Sequence, residues 1–116
     1  MGVLKTQIMI FDDWVEKSKG LNVPVSLLWD VDLENVDWHG GIRKLLVERV
    51  LERGEKEDFY AVIRLYGGLE NFREIIKEVH YLSDRNTVFA CTVFDLKKEE
   101  LRCYKRMQLR KKHLLS

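Results

Sequence analysis

Asp30 and Asp32 are the residues whose type and spacing come nearest to chemistry. They follow the apolar run Val25–Trp29. An apolar strand delivering Asp-x-Asp would present two carboxylates on one side. One could attack phosphorus or grip a divalent cation while the other served as acid or base. Such enzymes also need a further carboxylate on another strand, a Ser, Thr or Gly-Ser grip on phosphate, and a Lys. No Gly-Ser dipeptide occurs, and 116 residues are too few for those sheets. The expectation is that the chain is not an enzyme and has no catalytic residue.

A structural use of the same acids is better motivated. At 100° per residue Arg49 projects inside the apolar arc of its helix, between Trp38, Ile42, Leu45 and Leu46. An interior guanidinium needs a carboxylate partner. The nearest acids in an otherwise apolar stretch are Asp30 and Asp32, so a structural ion pair of Arg49 with one of them is expected, pinning the Trp29 segment to the helix.

The remaining reactive side chains are scattered. His39, His80 and His113 have no zinc spacing, and Cys91 and Cys103 form no Cys-x-x-Cys. His80, at the edge of an apolar face, reads as a half-buried core imidazole, and Cys91 as a packed thiol. No metal and no cofactor are expected.

The charge layout is uneven. Residues 1–96 carry 12 Lys and Arg against 17 Asp and Glu, a net of −5, and residues 97–116 carry 8 against 2, a net of +6. From Arg102 onward no side chain is acidic. Arg102, Lys105, Arg106, Arg110, Lys111 and Lys112 could contact nucleic-acid phosphates, an acidic partner, or solvent alone. A helix, a Gly-containing turn and a second helix at 57–82 form a degenerate helix-turn-helix. It lacks the small residue before the turn glycine and the aliphatic one after it, and its second helix is acid-rich.

The elements that must position these residues are helical. Ile42–Arg53 has a wide apolar arc suited to a central helix, ended by Gly54 in a left-handed cap. Glu57–Tyr66 follows and stops at Gly67-Gly68, and Leu69–Leu82 repeats the apolar spacing. Arg85–Phe94, capped by Ser83 or Asp84, is assigned as a fully buried helix despite its β-branched residues. Lys97–Gln108 is a last short helix with a fraying end. Asp37 is read as the cap before Trp38. Lys5–Lys19 fits a short helix and Gln7–Phe11 a strand, with a break at Gly20–Pro24. The fold expected is a single all-α domain, a small bundle of four or five short helices. Residues 1–24 form an N-terminal extension, 25–101 the helical core and 102–116 a basic tail.

With 46 % apolar and 34 % charged residues and one Pro, the composition argues for a packed domain over disorder or a fibre. No membrane-length apolar run and no signal-peptide pattern is visible, and two unpaired Cys suit a reducing compartment, so a cytoplasmic location is expected.

Leu28-Trp29-Asp30-Val31-Asp32, Asp37-Trp38, Val47–Gly54, Tyr66-Gly67 and Glu99–Tyr104 together resemble a short bacterial domain of unknown function, over roughly residues 25–106. That domain is often encoded beside abortive-infection nucleotidyltransferase-type toxins. The resemblance implies a bacterial intracellular protein and, by neighbourhood, an antitoxin-like or accessory role. It carries over no catalytic residue. The function expected is a non-catalytic protein-binding module whose partner is another protein, such as the product of an adjacent gene. The alternative is a nucleic-acid-binding transcriptional regulator using the degenerate helix-turn-helix and the basic tail.

Overall fold

The computed structural model describes residues 10–115, with side chains as far as Lys112. Its elements in chain order are the single-turn helix α1 (Trp14–Lys17), 3-10 turns at Val25–Leu28 and Leu33–Asn35, α2 (Ile42–Arg53), α3 (Lys56–Leu65), α4 (Leu69–Ile76), α5 (Asp84–Val93), a 3-10 turn at Lys98–Glu100, and α6 (Arg102–Leu115). No strand occurs among the described residues. The class is all-α as expected: a small bundle of five helices, α2 to α6, preceded by the single-turn α1. The part of the Lys5–Lys19 expectation before Ile10 lies outside the described residues.

The central position of α2 follows from its apolar arc. Leu46, Val47, Val50 and Leu51 are buried, and the helix packs against α3, α4, α5 and the Val25–Leu28 turn. Burial on several sides is what a helix with apolar residues over a wide angle requires. Helix α3 begins with a reciprocal cap in which Asp58 Oδ2 accepts from the Glu55 N–H at 2.9 Å. It ends in a Schellman turn: the Gly67 N–H donates to Arg64 O at 3.1 Å and the Gly68 N–H to Ile63 O at 2.9 Å. Gly67 and Gly68 have φ of 90° and 126°, values that exclude most side chains.

Several local expectations are corrected. Val25–Leu28 is a 3-10 turn, because no second strand is there to pair with it. Gly54 is extended (φ −76°, ψ 155°), since the chain passes straight into Glu55, the extended N-cap of α3. Glycine is still required there: a Cβ would lie 2.7 Å from the Val50 carbonyl oxygen. Helix α4 ends at Ile76 although Val79 and Leu82 continue its spacing. Both are buried from an irregular segment whose N–H groups at Tyr81 and Ser83 are taken by Glu48 (3.2 Å) and Glu52 (3.0 Å) of α2. Ser83 caps α5 by accepting from the Asn86 N–H at 3.2 Å. That helix buries only Thr87, Ala90 and Val93 and leaves Val88 exposed, so it is amphipathic. Asp37 caps no helix; its carboxylate accepts from the His39 N–H at 3.3 Å in the turn before α2. The last helix continues past Gln108 to Leu115.

Phe11 and Ser18 tie residues 10–24 to the core. Phe11 is buried, stacked on Phe59 at 5.0 Å and on Phe94 at 5.6 Å, with the Tyr60 ring edge-on at 5.4 Å. Ser18 is fully buried and accepts from Arg64 at 3.1 Å, and the Tyr60 hydroxyl donates to Asp13 at 2.7 Å.

Candidate interaction surface

The outward face of α2 carries Glu48, Arg49, Glu52 and Arg53, and three of these four grip backbone from other segments. Arg49 donates to Leu27 O at 2.8 Å and forks onto Asp30, with Nη1–Oδ1 at 2.5 Å and Nη2–Oδ2 at 2.9 Å. This bond holds the Asp30 carboxyl below the usual carboxylate range and raises Arg49 in turn. The pair is only partly covered, 20 % exposed at Arg49 and 39 % at Asp30. It therefore sits at the rim of the apolar arc and not inside it, as the projection had placed it. Asp32 is elsewhere. Its Oδ1 accepts from the Glu34 N–H at 3.1 Å and its Oδ2 from Asn35 at 2.9 Å, capping the Leu33–Asn35 turn. Both carboxylates are thus occupied by separate structural bonds. No group of three metal-ligating side chains occurs among the described residues.

What these bonds display is a pair of aromatic rings. Arg49 anchors the turn in which Leu28 is buried and the next residue, Trp29, is 75 % exposed. Glu48 and Glu52 hold the segment in which Tyr81 is 56 % exposed. Trp29 and Tyr81 border one shallow cleft floored by Leu45 and the charged face of α2. Sequence reasoning missed this surface. Trp29 closes the apolar run Val25–Trp29, which gives no sign of its exposure. For Tyr81 a signal existed: it falls outside the spacing Phe72, Ile75, Ile76, Val79, Leu82.

The basic residues lie on α6, whose start is tied down by the Arg102 N–H to Lys77 O bond at 2.9 Å. Lys77 also pairs with Glu74 (2.9 Å) and Glu100 (3.4 Å). Leu101 is the last buried residue among those described; Cys103, Tyr104 and Met107 are half-buried, and Arg102, Lys105, Arg106, Arg110, Lys111 and Lys112 are exposed. Arg106 and Arg110 border His80 and Tyr81, and Lys111 faces Asp84 and Val88 across a second groove. His80 is exposed, not a core imidazole, because it lies in the irregular segment beyond α4. Cys91 and Cys103 are half-buried, and burial pushes both thiols up.

Helices α3 and α4 meet at Gly67-Gly68, where the sequence suggests a degenerate helix-turn-helix, and the exposed face of the second helix is acidic. The exposed residues of α4 are Glu70, Asn71 and Glu74, and Arg73 is turned onto Phe94 O (2.6 Å) and Asp95 O (2.9 Å).

Residues 23–76 match the model of a family of unknown function (DUF6922). The matched stretch contains Trp29, Asp30, Asp32 and Arg49 and stops at the end of α4, before Tyr81 and the basic helix. No curated protein and no solved structure matches the chain. No helix among the described residues is long and apolar enough to cross a membrane.

Proposed function

We propose that this chain is a non-catalytic protein-binding module, an accessory or antitoxin-like partner of a toxin-type enzyme, and that Trp29 is its anchor. The observation that carries this reading is the exposure of Trp29 on a turn fixed at both flanks, by burial of Leu28 and by the Arg49–Asp30 fork. A rigid, exposed Trp next to a Tyr and an Arg is the side-chain set that dominates binding energy at protein interfaces. Holding it in place beforehand reduces the ordering cost of association. The engagement of Asp30 and Asp32 in structural bonds favours binding over phosphate chemistry. The toxin-type partner and the bacterial cytoplasm come from the resemblance in sequence.

The test is co-purification of the tagged chain with the product of the adjacent gene, followed by a titration. Trp29→Ala should weaken binding by about tenfold or more, in line with the ~2 kcal/mol typical of a central anchor, without altering the melting temperature. Unchanged affinity in that variant would remove the cleft from the interface.

A further inference from the structure

Five of the six tail cations share one side of α6. Placed at 100° per residue, Arg102, Lys105, Arg106, Arg110 and Lys112 fall within an arc of about 160°, and Lys111 falls outside it. All five are exposed, and among the described residues none is in an ion pair. Leu109 is the one apolar side chain described on that arc, and it is 60 % exposed. From Arg102 to Lys112 the helix rises about 15 Å, so the five cations stand about 4 Å apart on average along it. One strand of a nucleic-acid duplex carries a phosphate about every 3.4 Å of axis. A helix about 10–12 Å across also fits a major groove about 12 Å wide.

We infer that α6 lays this arc along the backbone of double-stranded DNA without reading its sequence. Three of the five cations are arginines, whose forked donors suit phosphate oxygens. No Asn, Gln or acidic side chain stands on the arc to read adenine or cytosine edges, so the contacts position the duplex and do not select a site. A single strand would need successive aromatic platforms. Tyr104 is half-buried and packed on the core, and the two exposed rings, Tyr81 and Trp29, border the cleft on α2 and stand off the arc. An acidic protein partner would need an apolar centre, and the groove at the edge of the arc that sets Tyr104 beside Leu109 also carries Glu99, whose charge repels such a partner.

The full chain is titrated against a labelled duplex of about 24 base pairs, roughly two helical turns, at salt from about 50 to about 200 mM. Five contacts give a log–log salt slope of about −4.5, or a loss of about 500-fold in affinity over that range. Arg106→Ala with Arg110→Ala should bring the slope to about −2.7 with circular dichroism unchanged. If that variant loses helix, Lys105→Gln with Lys112→Gln on the other edge should give the same reduction. A duplex of unrelated sequence should bind within about threefold. Four results would overturn the inference: no binding at the lowest salt, a slope indifferent to both variants, tighter binding to a single strand of equal length, or equal displacement by polyglutamate. The last would assign the arc to an acidic protein. Trp29→Ala should leave DNA binding intact, so failure here and failure of the partner reading are separable.

Discussion

Arg49 forks onto both oxygens of one carboxylate and reaches a carbonyl with the same planar group, a geometry that lysine does not reproduce. An ammonium is a point donor, whereas the guanidinium matches both Asp30 oxygens and still reaches Leu27 O. Arg49→Met should lower the melting temperature by a few degrees at neutral pH, and Arg49→Lys should recover less than half of that loss. The pH dependence has a definite sign. The folded Asp30 pKa is lowered, so the pair's stabilisation is present above the unfolded value of about 3.9 and is lost as pH falls through the folded value. Melts of wild type and Arg49→Met should therefore converge as the pH is lowered from neutral through about 3.9 and below. A gap that stays constant would assign the effect to the carbonyl bond. The need for a partner was legible in the sequence, because a guanidinium beside an apolar arc demands an acid. Which acid was not: Asp30 and Asp32 differ only in how a 3-10 turn aims them, and that turn is set by burial of Leu28.

At the scale of elements, helices whose signals agree were read correctly. Ile42–Arg53 has matching bounds because spacing, length and a following glycine all point the same way. Leu69–Leu82 was overextended because Val79 and Leu82 fit the helical period while Glu48 and Glu52, distant in sequence, capture the N–H groups of Tyr81 and Ser83. Only the tertiary fold reveals that competition, and it is also what exposes Tyr81. For Thr87–Phe94 the residue preferences favoured a strand, and packing against α2 decided for a helix. The α3–α4 turn depends on its second glycine: Gly68 has φ 126° and ψ 177°, and an added Cβ would lie 3.2 Å from Trp14 Cζ2. Gly68→Ala should cost about 1–3 kcal/mol in chemical denaturation, with the helical signal retained.

Across the whole molecule, residues 10–24 matter more than their mostly exposed surface suggests. The break at Gly20–Pro24 marks them off as an N-terminal extension, yet Phe11 joins Phe59 and Phe94 in the aromatic centre of the core. Phe11→Ala should destabilise the protein by about 3–5 kcal/mol, comparable to losing a core residue of α2 or α4. A loss below about 1 kcal/mol would return the segment to the status of an appendage. The opposite end is built differently. After Leu101 no described side chain is buried, and the final helix is held by the Arg102 N–H bond to Lys77 O and by the half-buried Cys103, Tyr104 and Met107. Mutations that redistribute cations there need not disturb thermal tolerance, so natural variation can retune what this terminus touches while inheriting the rest of the fold unaltered.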